Sequence, residues 1–244
     1  MQRLLTAAYL GLLLSSACLS QSNEDNLSQK LDVRTASSRV EGSFVEALGQ
    51  AAGMFNISMG ISWLDTESAR QKRTIEYENA TVLELIEKIA NTEPDYEVTA
   101  ANGVVHVSTM SVPPAQNFLH MRIPTFSAGG TSGEVQATLR MRLHQLISPD
   151  PRRGYGGSIM IGKDDPKLNL HMTNASVEDI LDSVAVGSND KVWVATFDER
   201  PDHLTATGFR RAASLLSKRL APDETQPFWD MFGWEYWRRV ALSP

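Results

Sequence analysis

The chain has 244 residues, of which 42% are hydrophobic and 21% charged, with a formal net charge of −6 and a single cysteine. The length suits one or two globular domains. The acidic balance argues against a general nucleic-acid binder, and one cysteine excludes a disulfide framework or a cysteine-based zinc site of the finger type.

Residues 1–17, MQRLLTAAYLGLLLSSA, begin with one basic residue, Arg3, continue with the apolar run Leu4 to Leu14, and end in small residues. That run is too short for a bilayer, which needs about 20 helical residues. The pattern is that of a secretory signal peptide. Ser15-Ser16-Ala17-Cys18 resembles a bacterial lipobox, although Leu14 stands four places before the cysteine rather than three. Two outcomes follow: lipidation at Cys18 with outer-membrane anchoring, or ordinary cleavage around Ala17 or Ser20. In both, the protein lies outside the cytoplasm. Polar composition marks 18–31 as a flexible tether.

The rest of the chain carries a duplication. Asn79-Ala80-Thr81-Val82 with Leu85, Ile86, Ile89 and Ala90 is repeated 95 positions later as Asn174-Ala175-Ser176-Val177 with Ile180, Leu181, Val184 and Ala185. This spacing predicts one buried helix face in each copy. Ser43/Glu46, Thr81/Glu84, Thr131/Glu134 and Ser176/Asp179 each place a hydroxyl residue three before an acid. That is the capping-box spacing, in which side chains satisfy the orphan N–H groups of a helix start.

The first unit, 32–110, therefore reads strand, helix 43–55, strand Ile57–Trp63, strand Arg73–Glu78, helix 81–91 and a hairpin over 95–108. The hairpin turns at Asn102-Gly103, where both residues accept positive φ. A Pro-rich linker, 111–116, cannot continue a helix or a central strand. The second unit, 117–199, reads strand Phe118–Ile123, helix 131–147, strands Ser158–Ile161 and Lys167–Met172, helix 176–186 and strand Lys191–Phe197. The fold expected is α+β, with two tandem small βαββαβ modules. Residues 200–244 read as a helical, aromatic-rich tail, whose rings either pack back onto the repeats, anchor a partner through Trp229, Phe232, Trp234 and Trp237, since large rings bury much area at low entropy cost, or rest on an anionic membrane surface.

The segments SFVEALGQAAGMFNISMGISW, IEYENATVLELIEKIA and YEVTAANGVVHVST of the first unit resemble the STN domain, the short amino-terminal domain of secretins and TonB-dependent receptors. In the second unit NASVEDIL fits the same pattern. The 118–165 half is longer and holds Arg152-Arg153-Gly154-Tyr155-Gly156-Gly157, which lacks the lysine and hydroxyl of a phosphate cradle. The resemblance implies a non-enzymatic periplasmic module that docks on envelope proteins of secretin, TonB-system or anti-sigma type. Those domains precede a barrel or a secretin body; with the chain stopping at Pro244, the expectation is a free-standing adaptor.

No residue is assigned a catalytic, cofactor or metal role. The five histidines, His106, His120, His144, His171 and His203, never occur at metal-ligand spacing, and Asp150 and the pair Asp164-Asp165 read as turn acids. The alternatives are a ligand-sensing or cell-wall-binding module, for which exposed Trp63 or Trp193 would be the first features to find, and an envelope enzyme of unassigned chemistry.

Overall fold

The computed structural model describes residues 24–114, 117–147, 166–198 and 229–233. The expected signal peptide, Cys18, the Arg152–Gly157 segment, the expected strand at 158–161 and the tail apart from 229–233 lie outside them.

The first half comprises helix α1 (24–31), β1 (Ser38–Gly42), α2 (Phe44–Phe55), β2 (Met59–Asp65), the short α3 (Glu67–Arg70), β3 (Arg73–Tyr77), α4 (Val82–Ala90), β4 (Tyr96–Ala101) and β5 (Val104–Thr109). A 3-10 turn at Phe118–His120 leads into β6 (Arg122–Gly130), α5 (Ser132–Ile147), β7 (Leu168–Ser176), α6 (Val177–Gly187), β8 (Asp190–Asp198) and β9 (Trp229–Gly233). The mixed α and β composition agrees with the expected class. Among the described residues, no helix is long and apolar enough to cross a membrane.

Each sequence-predicted helix start is built by its capping pair. The N–H groups of Ser43, Thr81, Thr131 and Ser176 donate to Glu46, Glu84, Glu134 and Asp179 at 2.6–2.8 Å. The duplication extends to backbone detail. Asn79 and Asn174 both adopt φ of 50°. Their carbonyls accept from Arg34 at 2.9 Å and from Arg122 at 2.8 Å. Each half also has an antiparallel ribbon, β1 with β3 and β6 with β7.

The two halves do not form separate sheets. One five-stranded sheet runs β4-β5-β2-β8-β9. Within it β8 of the second half pairs in parallel with β2 of the first, from Met59↔Val192 to Asp65↔Asp198. β5, β2 and β8 are buried on both faces, which is why VVHV, MGISW and VWVATF read as continuous runs rather than alternating ones. On one face Met59, Ile61, Trp63, Val105, Val107, Val192 and Val194 meet the core of α2 and α4. On the other, Trp193, Ala195 and Phe197 meet the core of α5 and α6.

Two expectations need correcting. Residues 24–31, part of the expected tether, form a helix whose Leu27 and Leu31 are buried in the first core. Two leucines four apart are enough to anchor one helix face, and the surrounding polar residues hid them. The tail is not helical at 229–233. That segment is β9, paired antiparallel with β8 from Ala195↔Trp229 to Asp190↔Gly233, with an irregularity between Asp190 and Val192.

Candidate functional site

Two places stand out chemically: a buried charged cluster where the halves meet, and an open strand edge.

In the cluster, β5 brings His106 from the first half, while α6 and β8 bring Glu178, Asp182 and Trp193 from the second. Glu178 and Asp182 are one helical turn apart and so share a face of α6. His106 Nδ1 lies 3.2 Å from Glu178 Oε1, and Nε2 lies 3.2 Å from Asp182 Oδ2. Neither nitrogen is aligned with an acceptor, so these contacts are charge pairs more than hydrogen bonds. Asp182 also accepts the indole N–H of Trp193 at 2.9 Å, and the Trp193 and His106 rings meet edge to face at 5.8 Å. Exposure is 0% for Trp193, 1% for Asp182 and 6% for His106. Burial alone would depress the imidazole pKa, but the carboxylates of Asp182 and Glu178 outweigh it and push His106 up to about 10. The ring is therefore an imidazolium at neutral pH.

Gly60 makes room for this arrangement: a Cβ there would run into the Trp193 ring. The carboxylates approach opposite nitrogens of the imidazole, so the three groups do not converge on a common centre. Among the described residues no grouping of His, Cys, Asp or Glu could hold a metal ion. The cluster joins the halves through charge, with His106 and Asp182 almost wholly buried and the Glu178 side chain partly exposed.

The open edge is β4. It pairs with β5 from Tyr96↔Thr109 to Ala101↔Val104, closed by Asn102 and Gly103 at φ of 56° and 77°. In a two-residue hairpin the closing pair is hydrogen-bonded, and bonded pairs then alternate. Ala101, Thr99 and Glu97 therefore bond to β5, and so does Asp95, whose carbonyl accepts from Met110 N–H at 2.8 Å. The N–H and C=O groups of Tyr96, Val98 and Ala100 point away, to the edge. Beside them lies a shallow depression of about 200 Å³ lined by Glu87, Ala90, Asn91, Tyr96 and Val98. Tyr96 is a fixed wall of it. Its hydroxyl accepts the Leu64 N–H at 2.9 Å, and burial pushes its pKa up to about 12.

The sequence-selected residues fare unevenly. Trp229 and Phe232 belong to β9, opposite Ala195 and Val192; Trp234, Trp237 and Cys18 lie outside the described residues. Trp63 is 7% exposed and donates to Thr196 at 2.9 Å. With Trp193 also buried, neither ring is an exposed platform. His106 is buried, whereas His120 and His171 are exposed. Sequence reasoning missed the His106 cluster. Its signals were a histidine between valines in a strand buried on both faces, acids at 178 and 182 on one helix face, and a glycine inside an apolar strand, which marks close approach.

No known family, curated protein or solved structure matches this chain.

Proposed function

We propose that the chain is a non-enzymatic periplasmic module of a bacterial envelope assembly for secretion, transport or surface signalling. It docks on other envelope proteins of secretin, TonB-system or anti-sigma type, with Cys18 as the lipid anchor to the outer membrane. The STN-like segments of the first half and the secretory start support this reading. The observation that carries it is the β4 edge, where, among the described residues, the backbone groups of Tyr96, Val98 and Ala100 have no strand beside them and a side-chain-sized depression lies next to them. An extended segment of a partner adds to such an edge, with main-chain hydrogen bonds for affinity and a pocket for specificity. The burial of Trp63 and Trp193 counts against the ligand-sensing or cell-wall reading.

Ala100→Pro tests this directly. Ala100 is exposed, and its N–H points outward, so proline removes a docking donor without removing a β5 bond. In cross-linked capture from native envelopes, the partner held by the wild-type protein is lost in Ala100→Pro while the melting temperature stays within about 2 °C. Equal capture by both proteins would falsify docking at this edge.

A further inference from the structure

The partner reading leaves open what kind of strand the β4 edge accepts, and the charges around it bear on that. Glu97 lies on β4 and Asp95 at its start, both exposed, and Glu87 borders the depression; Glu178, over the neighbouring strand, is already paired with the His106 imidazolium and is not counted with them. No lysine or arginine occurs in β4, the Asn102-Gly103 turn, β5 or α6. The one cation of α4, Lys88, is committed elsewhere, donating to the Glu76 carbonyl at 2.6 Å. Both faces of the edge are therefore acidic.

Resting on the docking function proposed above, we infer that the occupant is an extended basic segment of a different protein, with lysine or arginine at alternate positions. Glu97 bonds to β5, so it would face its new neighbour as a non-hydrogen-bonded pair, the register in which side chains approach most closely. A cation there meets Glu97, and its neighbours two along meet the same acidic face. The next residue of the incoming strand faces the other way, onto Tyr96 and Val98, where an apolar side chain fits. A second copy of this chain does not suit the edge. Pairing β4 with β4 would bring the Glu97 and Asp95 carboxylates of both copies together, and like charges across a strand pair repel.

The test uses the mature full-length protein and two synthetic octapeptides, one alternating lysine and valine, the other glutamate and valine. Titration calorimetry at low salt and at about 0.5 M salt reads affinity, and amide hydrogen exchange reads location. The lysine peptide binds at least tenfold more tightly than the glutamate peptide. It weakens severalfold in Glu87→Gln/Glu97→Gln and protects the amides of Tyr96, Val98 and Ala100 from exchange. Equal binding of both peptides with that protection overturns the basic preference and leaves strand docking standing. Lysine-peptide binding without protection of those three amides, or unchanged in Ala100→Pro, overturns docking at the edge as well. Absence of binding by either peptide overturns the inference. The exchange measurement is made on the unaltered chain, so it decides the matter even where a variant misfolds.

Discussion

On one face of the central sheet Met59, Ile61, Val105, Val107, Val192 and Val194 pack against α2 and α4 with only hydrocarbon between them. On the other face, the same three strands present Gly60, His106 and Trp193 to α6, and a charged triad sits in the contact. The apolar face gains from area removed from water, a non-directional term that tolerates adjustment. The polar face gains little net energy from its ion pairs, because desolvation offsets attraction. What it adds is direction: Asp182 must reach both the Trp193 N–H and His106, and that fixes the turn of α6 over β5 and β8. One face makes the sheet stable, and the other decides which helix lies on it and in what register.

Substitutions can break or sharpen that contrast. The largest effect is expected from Trp193→Ala, which opens a cavity and leaves Asp182 without its indole donor; about 4 kcal/mol of stability is lost in chemical denaturation, and a loss below about 1 kcal/mol would show the polar face to be loosely packed. Next, Asp182→Ala leaves the buried imidazolium with only the half-buried Glu178 and costs about 3 kcal/mol, whereas His106→Leu/Asp182→Leu removes the buried ion pair and recovers part of that loss, the rest being held back by the Trp193 N–H and Glu178 left without their partners. A double variant as unstable as the single one would mean that the charges themselves supply the stability. Gly60→Ala forces the Trp193 ring aside and costs about 2 kcal/mol, read from the shift in the urea midpoint.

The remaining test is a pH slope. The folded pKa of His106, about 10, lies above its ordinary 6.5, so the stability it contributes is fully present below pH 6.5 and is lost as pH rises toward 10. Melting temperatures measured across that window fall more steeply for the wild type than for His106→Gln, which has no proton to lose. Parallel curves would mean that the imidazole is neutral in the folded state.

Local chemistry was the legible part of this sequence. Capping pairs, the Asn102-Gly103 turn and the helical stripes of α4 and α6 involve residues close in sequence, and each took its expected form. The joining of the halves was not legible. Trp63 and Thr196 are 133 positions apart, and an apolar run such as VWVATF announces burial on both faces without naming its neighbour. For the same reason His106 and Asp182 looked like unrelated residues, since their meeting depends on β8 having paired with β2. The β4 edge was foreseeable as part of a hairpin. Its outer position was not, because edge status belongs to the finished strand order.

That late pairing shapes how the chain reaches its native state. While β8 is absent, β2 has β5 on one side and no strand on the other, and Met59 to Trp63 present an apolar row of unpaired backbone. Parallel partners so distant in sequence are slow to meet, and an unpaired apolar strand is a template for other chains in the interval. Refolding is therefore a race between a unimolecular step, β8 closing on β2, and a bimolecular one, β2 meeting β2 of another molecule. Yield falls as protein concentration rises, and a fragment ending before Asp190 loses the race at every concentration.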